Sequence, residues 1–151
     1  MSCPSNIFIC TAAALLLAGP ALAAGYEAEL DPVPFDEVNR ADVIGSIGNL
    51  TATLEGNTLT VHGSFSNLTS PASGGSFRIG LAKGVPGDAI GSVTVTHGRQ
   101  GEISGTIKLS AAQKAALEQQ SLYIRIDSEK APDGNLQGWL EAPAAHTPGN
   151  S

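Results

Sequence analysis

Apolar and polar side chains alternate with a period of two along most of the chain, the pattern of strands with one buried face. Leu50, Ala52 and Leu54 alternate with Thr51 and Thr53. After Gly56-Asn57, Leu59, Val61 and Phe65 alternate with Thr58, Thr60, His62 and Ser64. The Gly/Asn pair between the two runs predicts a tight hairpin. Further inward sets follow: Phe77, Ile79 and Leu81, then Val93 and Val95, then Ile103, Ile107 and Leu109. Turn-forming clusters separate them at Ser70 to Gly75, at Gly84 to Asp88 and at His97 to Gly101.

One segment breaks the alternation. Ser110-Ala111-Ala112-Gln113 has the spacing of a capping box, and Ala115, Ala116 and Leu117 extend it with good helix formers for about two turns. Alternation then resumes at Leu122, Ile124 and Ile126. Ala131 to Asn135 supplies a turn, and Leu136 to Leu140 returns as the closing strand. About seven to eight short strands with frequent turns predict an all-β, antiparallel β-sandwich, crossed by one short helix. The sandwich is expected over residues 43–141.

The ends read differently. Ile7 to Gly19 is an apolar run followed by Pro20-Ala21-Leu22-Ala23, whose small residues form an A-x-A cleavage site. Residues 1–23 therefore read as a cleaved export signal, and the run is shorter than the ~20 residues of a spanning helix. Both cysteines, Cys3 and Cys10, fall inside it, so the processed chain is expected to have no disulfide, thiolate metal site or covalent haem attachment. Export without disulfides points to a bacterial periplasm. Residues 24–42 carry six acids against Arg40 alone and read as an extended acidic arm, laid along a sheet edge or a partner. Residues 142–151 read as a flexible tail.

Charge narrows the function. The net charge is −6, only 15 % of residues are charged, and no Lys/Arg cluster exists to neutralise phosphates, which argues against a nucleic-acid partner. No G-x-S-x-G elbow, H-E-x-x-H pair or G-x-G-x-x-G loop is present, so nucleophilic, zinc-hydrolase and dinucleotide chemistry lack their frames. His62, His97 and His146 are scattered over a strand, a turn and the tail, and read as solvated surface residues. Asp127, Glu129 and Asp133 cluster near the last hairpin, but Lys130 among them and the turn role of Asp133 argue against a hard-cation site. No catalytic, cofactor-binding or metal-binding residue is assigned.

One constellation stands out. If Leu122, Ile124, Ile126, Leu136 and Leu140 face inward, then Tyr123, Arg125, Gln137 and Trp139 face outward together. Tyr, Arg and Trp dominate interface hot spots because each buries a large area at little entropic loss. The group reads either as a local stacking or cation–π pair or as a partner-binding patch, with a carbohydrate platform as a smaller alternative.

The run Leu109-Ser110, Leu117, Leu122-Tyr123-Ile124-Arg125-Ile126 and Pro132-Asp133-Gly134-Asn135-Leu136-Gln137-Gly138-Trp139-Leu140 resembles the CHRD domain, a β-sandwich family common in exported bacterial proteins. The family's pattern is a leucine-bearing short helix, a Tyr-Val-x-Val-His strand and a Pro-x-Gly-Glu-Ile-Arg-Gly-Gln closing strand. Gly48-Asn49-Leu50-Thr51 through Phe65 and Leu68 resembles its first hairpin, so the likeness runs from Tyr26 to Glu141. The chain departs from the pattern at the polar positions. Phe77-Arg78-Ile79-Gly80-Leu81 replaces a His-Ile-His strand, and the family's histidine, glutamate and arginine fall at Asp127, Asn135 and Gln137.

A narrower likeness is to the small third subunits of the quinoprotein alcohol dehydrogenase complexes of acetic acid bacteria. It implies a non-catalytic accessory subunit that stabilises or seats the catalytic subunit at the periplasmic face of the inner membrane. Ethanol oxidation and electron transfer to ubiquinone then belong to the partners, a quinohaem large subunit and a cytochrome c subunit, which hold pyrroloquinoline quinone and haem c. The alternative is a free-standing periplasmic binding module for an ion or a carbohydrate.

Overall fold

Tight hairpins and inward-facing apolar sets close the chain into a single antiparallel wall. A computed structural model describes residues 23–143. Its strands are β1 (Ala24–Pro32), β2 (Ile47–Glu55), β3 (Thr58–Ser66), β4 (Ala72–Ile79), β5 (Asp88–Val95), β6 (Gly101–Lys108), β7 (Leu122–Ser128) and β8 (Leu136–Trp139). Helix α1 (Arg40–Val43) lies in the β1–β2 connection and α2 (Ala111–Glu118) in the β6–β7 crossover. The expected export signal with Cys3 and Cys10, and residues 144–151 of the expected tail with His146, lie outside the described residues.

The expected all-β antiparallel architecture is present, with its two sheets joined at both sides. The strand order β1-β2-β3-β6-β5-β4-β7-β8 returns to β1. Two strands make the corners. Ala24 to Leu30 pairs with β2 while Asp31 and Pro32 pair with β8. Gly75 to Ile79 of β4 pairs with β5, whose last residues, Thr94 and Val95, pair with β6. Part of the expected acidic arm is thus a wall strand: Tyr26, Ala28 and Leu30 face the core while Glu27, Glu29 and Asp31 face out. The wall begins at Ala24, ahead of the boundary expected at residue 43. The density of acids masked this alternation.

Small residues set the width of the interior. Gly48 lies opposite Phe65, Gly63 opposite Leu50, Gly91 opposite Phe77, Gly105 opposite Val61 and Gly138 opposite Ile124. A Cβ at Gly63 would strike the Asn49 carbonyl, and one at Gly138 the Glu29 carbonyl and the Leu30 side chain. Each such pair has room for one bulky side chain, the small–large alternation of narrow barrels. Phe77, Leu59, Val61, Ile124, Ile126 and Leu136 fill the space and are fully buried.

Loops and α2 close the ends. Ser110 Oγ accepts from the Gln113 amide while Gln113 Oε1 accepts from the Ser110 amide, so the expected capping box forms and drops Leu117 into the core. At the other end Leu68 is fully buried, tied by paired bonds between Leu68 and Arg99. Asn135, also fully buried, accepts from Ser46 Oγ at 3.1 Å and donates to the Asp42 carbonyl at 3.4 Å, anchoring the β1–β2 connection. Leu81 departs from its expected inward position: β4 ends at Ile79, and Leu81 is 94 % exposed on the following loop. Among the described residues no helix is long and apolar enough to cross a membrane.

Gly138→Ala should destabilise the fold by about 1–3 kcal/mol through overpacking. Gly74→Ala, whose Cβ meets nothing within 4 Å, should be neutral or stabilising. Urea unfolding of both variants distinguishes a spatial requirement from a general preference for glycine. Ser110→Ala should cost about 1 kcal/mol by removing the cap.

Candidate functional site

The outer face of β7 and β8 brings together the four residues singled out in the sequence, but not as one open patch. Tyr123 pairs with Trp139 and Arg125 with Gln137 across the two strands. The Tyr123 and Trp139 rings stack, with centroids 4.7 Å apart and planes inclined by 25°. That stack is one of the expected arrangements.

Tyr123 departs from the expected exposure. It is only 1 % exposed because the β4–β5 loop, residues 80–87, folds over it. Gly87 N–H donates to Tyr123 Oη at 2.9 Å, and Tyr123 O–H lies 3.2 Å from the Gly87 carbonyl. Arg78 Nε donates to the same carbonyl at 2.9 Å. Gly80 and Gly87 form the neck of the loop, where a Cβ on either would strike the opposite backbone. The outer surface at this point is the loop and not the tyrosine ring.

Arg125 also has a local role. Its Nε donates to Asp127 Oδ1 at 2.8 Å and its Nη2 lies 3.5 Å from Oδ2, so the guanidinium is committed to a carboxylate and not to a ring. Burial, the largest influence, pushes the Asp127 carboxyl above its usual range, and Asp133 pushes the same way. The Arg125 hydrogen bond and the Arg125 and Arg78 charges oppose this.

Two grooves flank the β8 ridge. The first, about 410 Å³, is floored by Tyr123, Arg125 and Gln137 and walled by Val33, Pro34, Pro86 and Pro132. The second, about 800 Å³, lies over β8, β1 and β2. Trp139 and Gln137 line it with Asn49, Thr51, Glu27, Glu29, Asp31 and Glu141. Lys83, from the β4–β5 loop, forms an ion pair with Glu141. Trp139 Nε1 is buried and has no acceptor among the described residues.

The second groove goes beyond the sequence expectation, in which its β1 acids belong to an extended arm along a sheet edge or a partner. The alternation of Tyr26, Ala28 and Leu30 with Glu27, Glu29 and Asp31 was the available signal. Other candidates stay apart: His62 is exposed, and His97 lies 3.3 Å from Glu129 on the surface. Among the described residues no group of three or more His, Cys, Asp or Glu side chains is placed to hold a metal ion.

Tyr123→Phe should loosen the loop by about 1 kcal/mol and speed hydrogen exchange at the Gly87 amide, read by NMR. The Asp127 shift has a defined sign. Its pKa is higher in the folded than in the unfolded chain, so the folded state holds more protons in the window just above the ordinary value of 3.8. Stability from this residue therefore falls as pH rises through that window, and is regained on acidification. Thermal melts of wild type against Asp127→Asn should converge or cross in wild type's favour as pH falls from neutral towards that window.

A family model for the CHRD domain matches residues 27–140, which run from within β1 through the residue after β8 and take in the smaller groove and all of the larger one but Glu141, Ala142 and Pro143. No curated protein and no solved structure matches the chain. The match covers well over half of the 151 residues, and the chain belongs to the CHRD domain family.

Proposed function

We propose that the chain is a non-catalytic accessory subunit of a periplasmic, membrane-associated quinoprotein alcohol dehydrogenase complex. It stabilises or seats the catalytic subunit, while the other subunits oxidise ethanol and pass electrons to ubiquinone. The observation that carries the non-catalytic reading is the use of space. The interior is filled with apolar side chains, and the roomy, polar concavity lies outside, on the β8–β1–β2 face. A surface of that kind suits a macromolecular partner better than a small substrate that needs enclosure. The likeness to small third subunits of such complexes supplies the partner class, a quinohaem large subunit with a cytochrome c subunit.

The docking face of this reading differs from the four-residue patch. Trp139 and Gln137 line the larger groove and remain candidates, whereas Tyr123 and Arg125 act as support beneath and beside them. Trp139 has the stacked, supported geometry of an interface anchor.

Affinity capture of the chain from native membranes tests the reading. Co-purification of a quinohaem dehydrogenase in fixed proportion is the expected result. Trp139→Ala should weaken that association by about 2 kcal/mol or more while the chain stays folded. A monomeric chain that captures no dehydrogenase, and gains thermal stability from a sugar or a cation, would replace the proposal with the binding-module alternative.

A further inference from the structure

We infer that the groove over β8, β1 and β2 is the seat of an extended, lysine- or arginine-bearing segment of the partner protein, laid along β1. The inference deepens the accessory-subunit reading and rests on it. Four carboxylates line the groove, from Glu27, Glu29, Asp31 and Glu141, against the single ammonium of Lys83. Three of them stand at alternate positions of one strand, so their stems repeat at roughly 7 Å. That spacing strings the charges along a line, and no three of the described acids converge on a point where one metal ion would sit. The complementary ligand is itself linear, with cations at alternate residues, as an extended peptide presents them.

Two further observations point to a peptide. Lys83 already shows the mode of recognition, since its ammonium from the chain's own loop is paired with Glu141 at the groove's edge. The indole N–H of Trp139, in the lining of the same groove, is buried without an acceptor. A main-chain carbonyl of an incoming segment supplies one, and a free cation does not. Asn49, Thr51 and Gln137 add neutral polar side chains between the charges. On docking, a basic side chain of the partner takes the place of Lys83 on Glu141. The tip of the β4–β5 loop that carries Lys83 is then released from the groove's edge, while Gly87 stays bonded to Tyr123.

This displacement sets the test. Binding of the purified chain is measured by calorimetry with a short peptide that alternates lysine with threonine, and with a peptide of the same composition whose lysines form one block. The alternating peptide should bind one to one, more tightly than the block peptide. The combined Glu27→Gln, Glu29→Gln and Asp31→Asn variant should lose about tenfold or more in affinity. These acids are exposed, and circular dichroism checks that the variant is folded.

Lys83→Ala should tighten binding several-fold by removing the internal competitor. Lys114→Ala makes the same charge change on α2, away from the groove, and should have little effect. Equal binding of the two peptides, an unaffected acid variant, or equal effects of the two lysine variants would each overturn the inference. If the wild-type chain captures the dehydrogenase from membranes but none of the peptide results is obtained, this inference falls and the accessory reading stands. Peptide binding as described, without dehydrogenase capture, would leave the groove assignment and remove the dehydrogenase.

Discussion

Everything in this fold depends on how little width the wall leaves for side chains. Several bulky inward residues stand opposite a glycine on a neighbouring strand, as at Gly91 and Phe77 or Gly138 and Ile124. At Gly63 and Gly138 the backbone could not carry a Cβ without displacing a carbonyl and a buried leucine side chain. Among the described residues, Gly48, Gly63 and Gly138 thus serve packing, whereas Gly45, Gly56 and Gly84 serve turns of positive φ. Among the described residues the interior is occupied by apolar side chains, and the larger groove lies on the outside of the wall.

That surface is organised by β8. On one side of it the β4–β5 loop, Tyr123 and the Arg125–Asp127 pair form a braced region in which polar groups satisfy one another. On the other side the outward residues of β1 present acids with one counter-charge. Trp139 joins the two, stacked on the braced tyrosine and lining the acidic groove. Internal bracing and open acidic surface are thus divided between neighbouring strands.

Much of the fold was legible because it is written in local patterns. The β2–β3 hairpin, the capping box at Ser110 and the inward sets of β3 and β7 each follow from a few neighbouring residues. What depends on distant chain was not legible. Leu81 continues the alternation of Phe77 and Ile79, yet the chain turns at Gly80 and leaves it in solvent. Tyr123 obeys the outward rule of its strand, and only the later course of residues 80–87 over it decides its burial. Charge also misled: in Glu27 to Asp31 the acids drew the reading towards an arm, while the smaller apolar signal of Tyr26, Ala28 and Leu30 placed the segment in the wall. The candidate site was half read for the same reason, its β8 side from alternation and its β1 side hidden by composition.

The pairing of β1 with β8 has a consequence for biogenesis. The first and last strands of the wall are neighbours, so closure joins residues separated by almost the whole domain. A chain emerging N-terminus first cannot complete its wall until β8 has been made, and until then β1 is unpaired along one side. Folding is bound to be slow on the scale set by non-local pairing, with an open edge offered to any passing strand. The outward acids of β1 stand on that edge, so two unfinished copies would meet there with like charges.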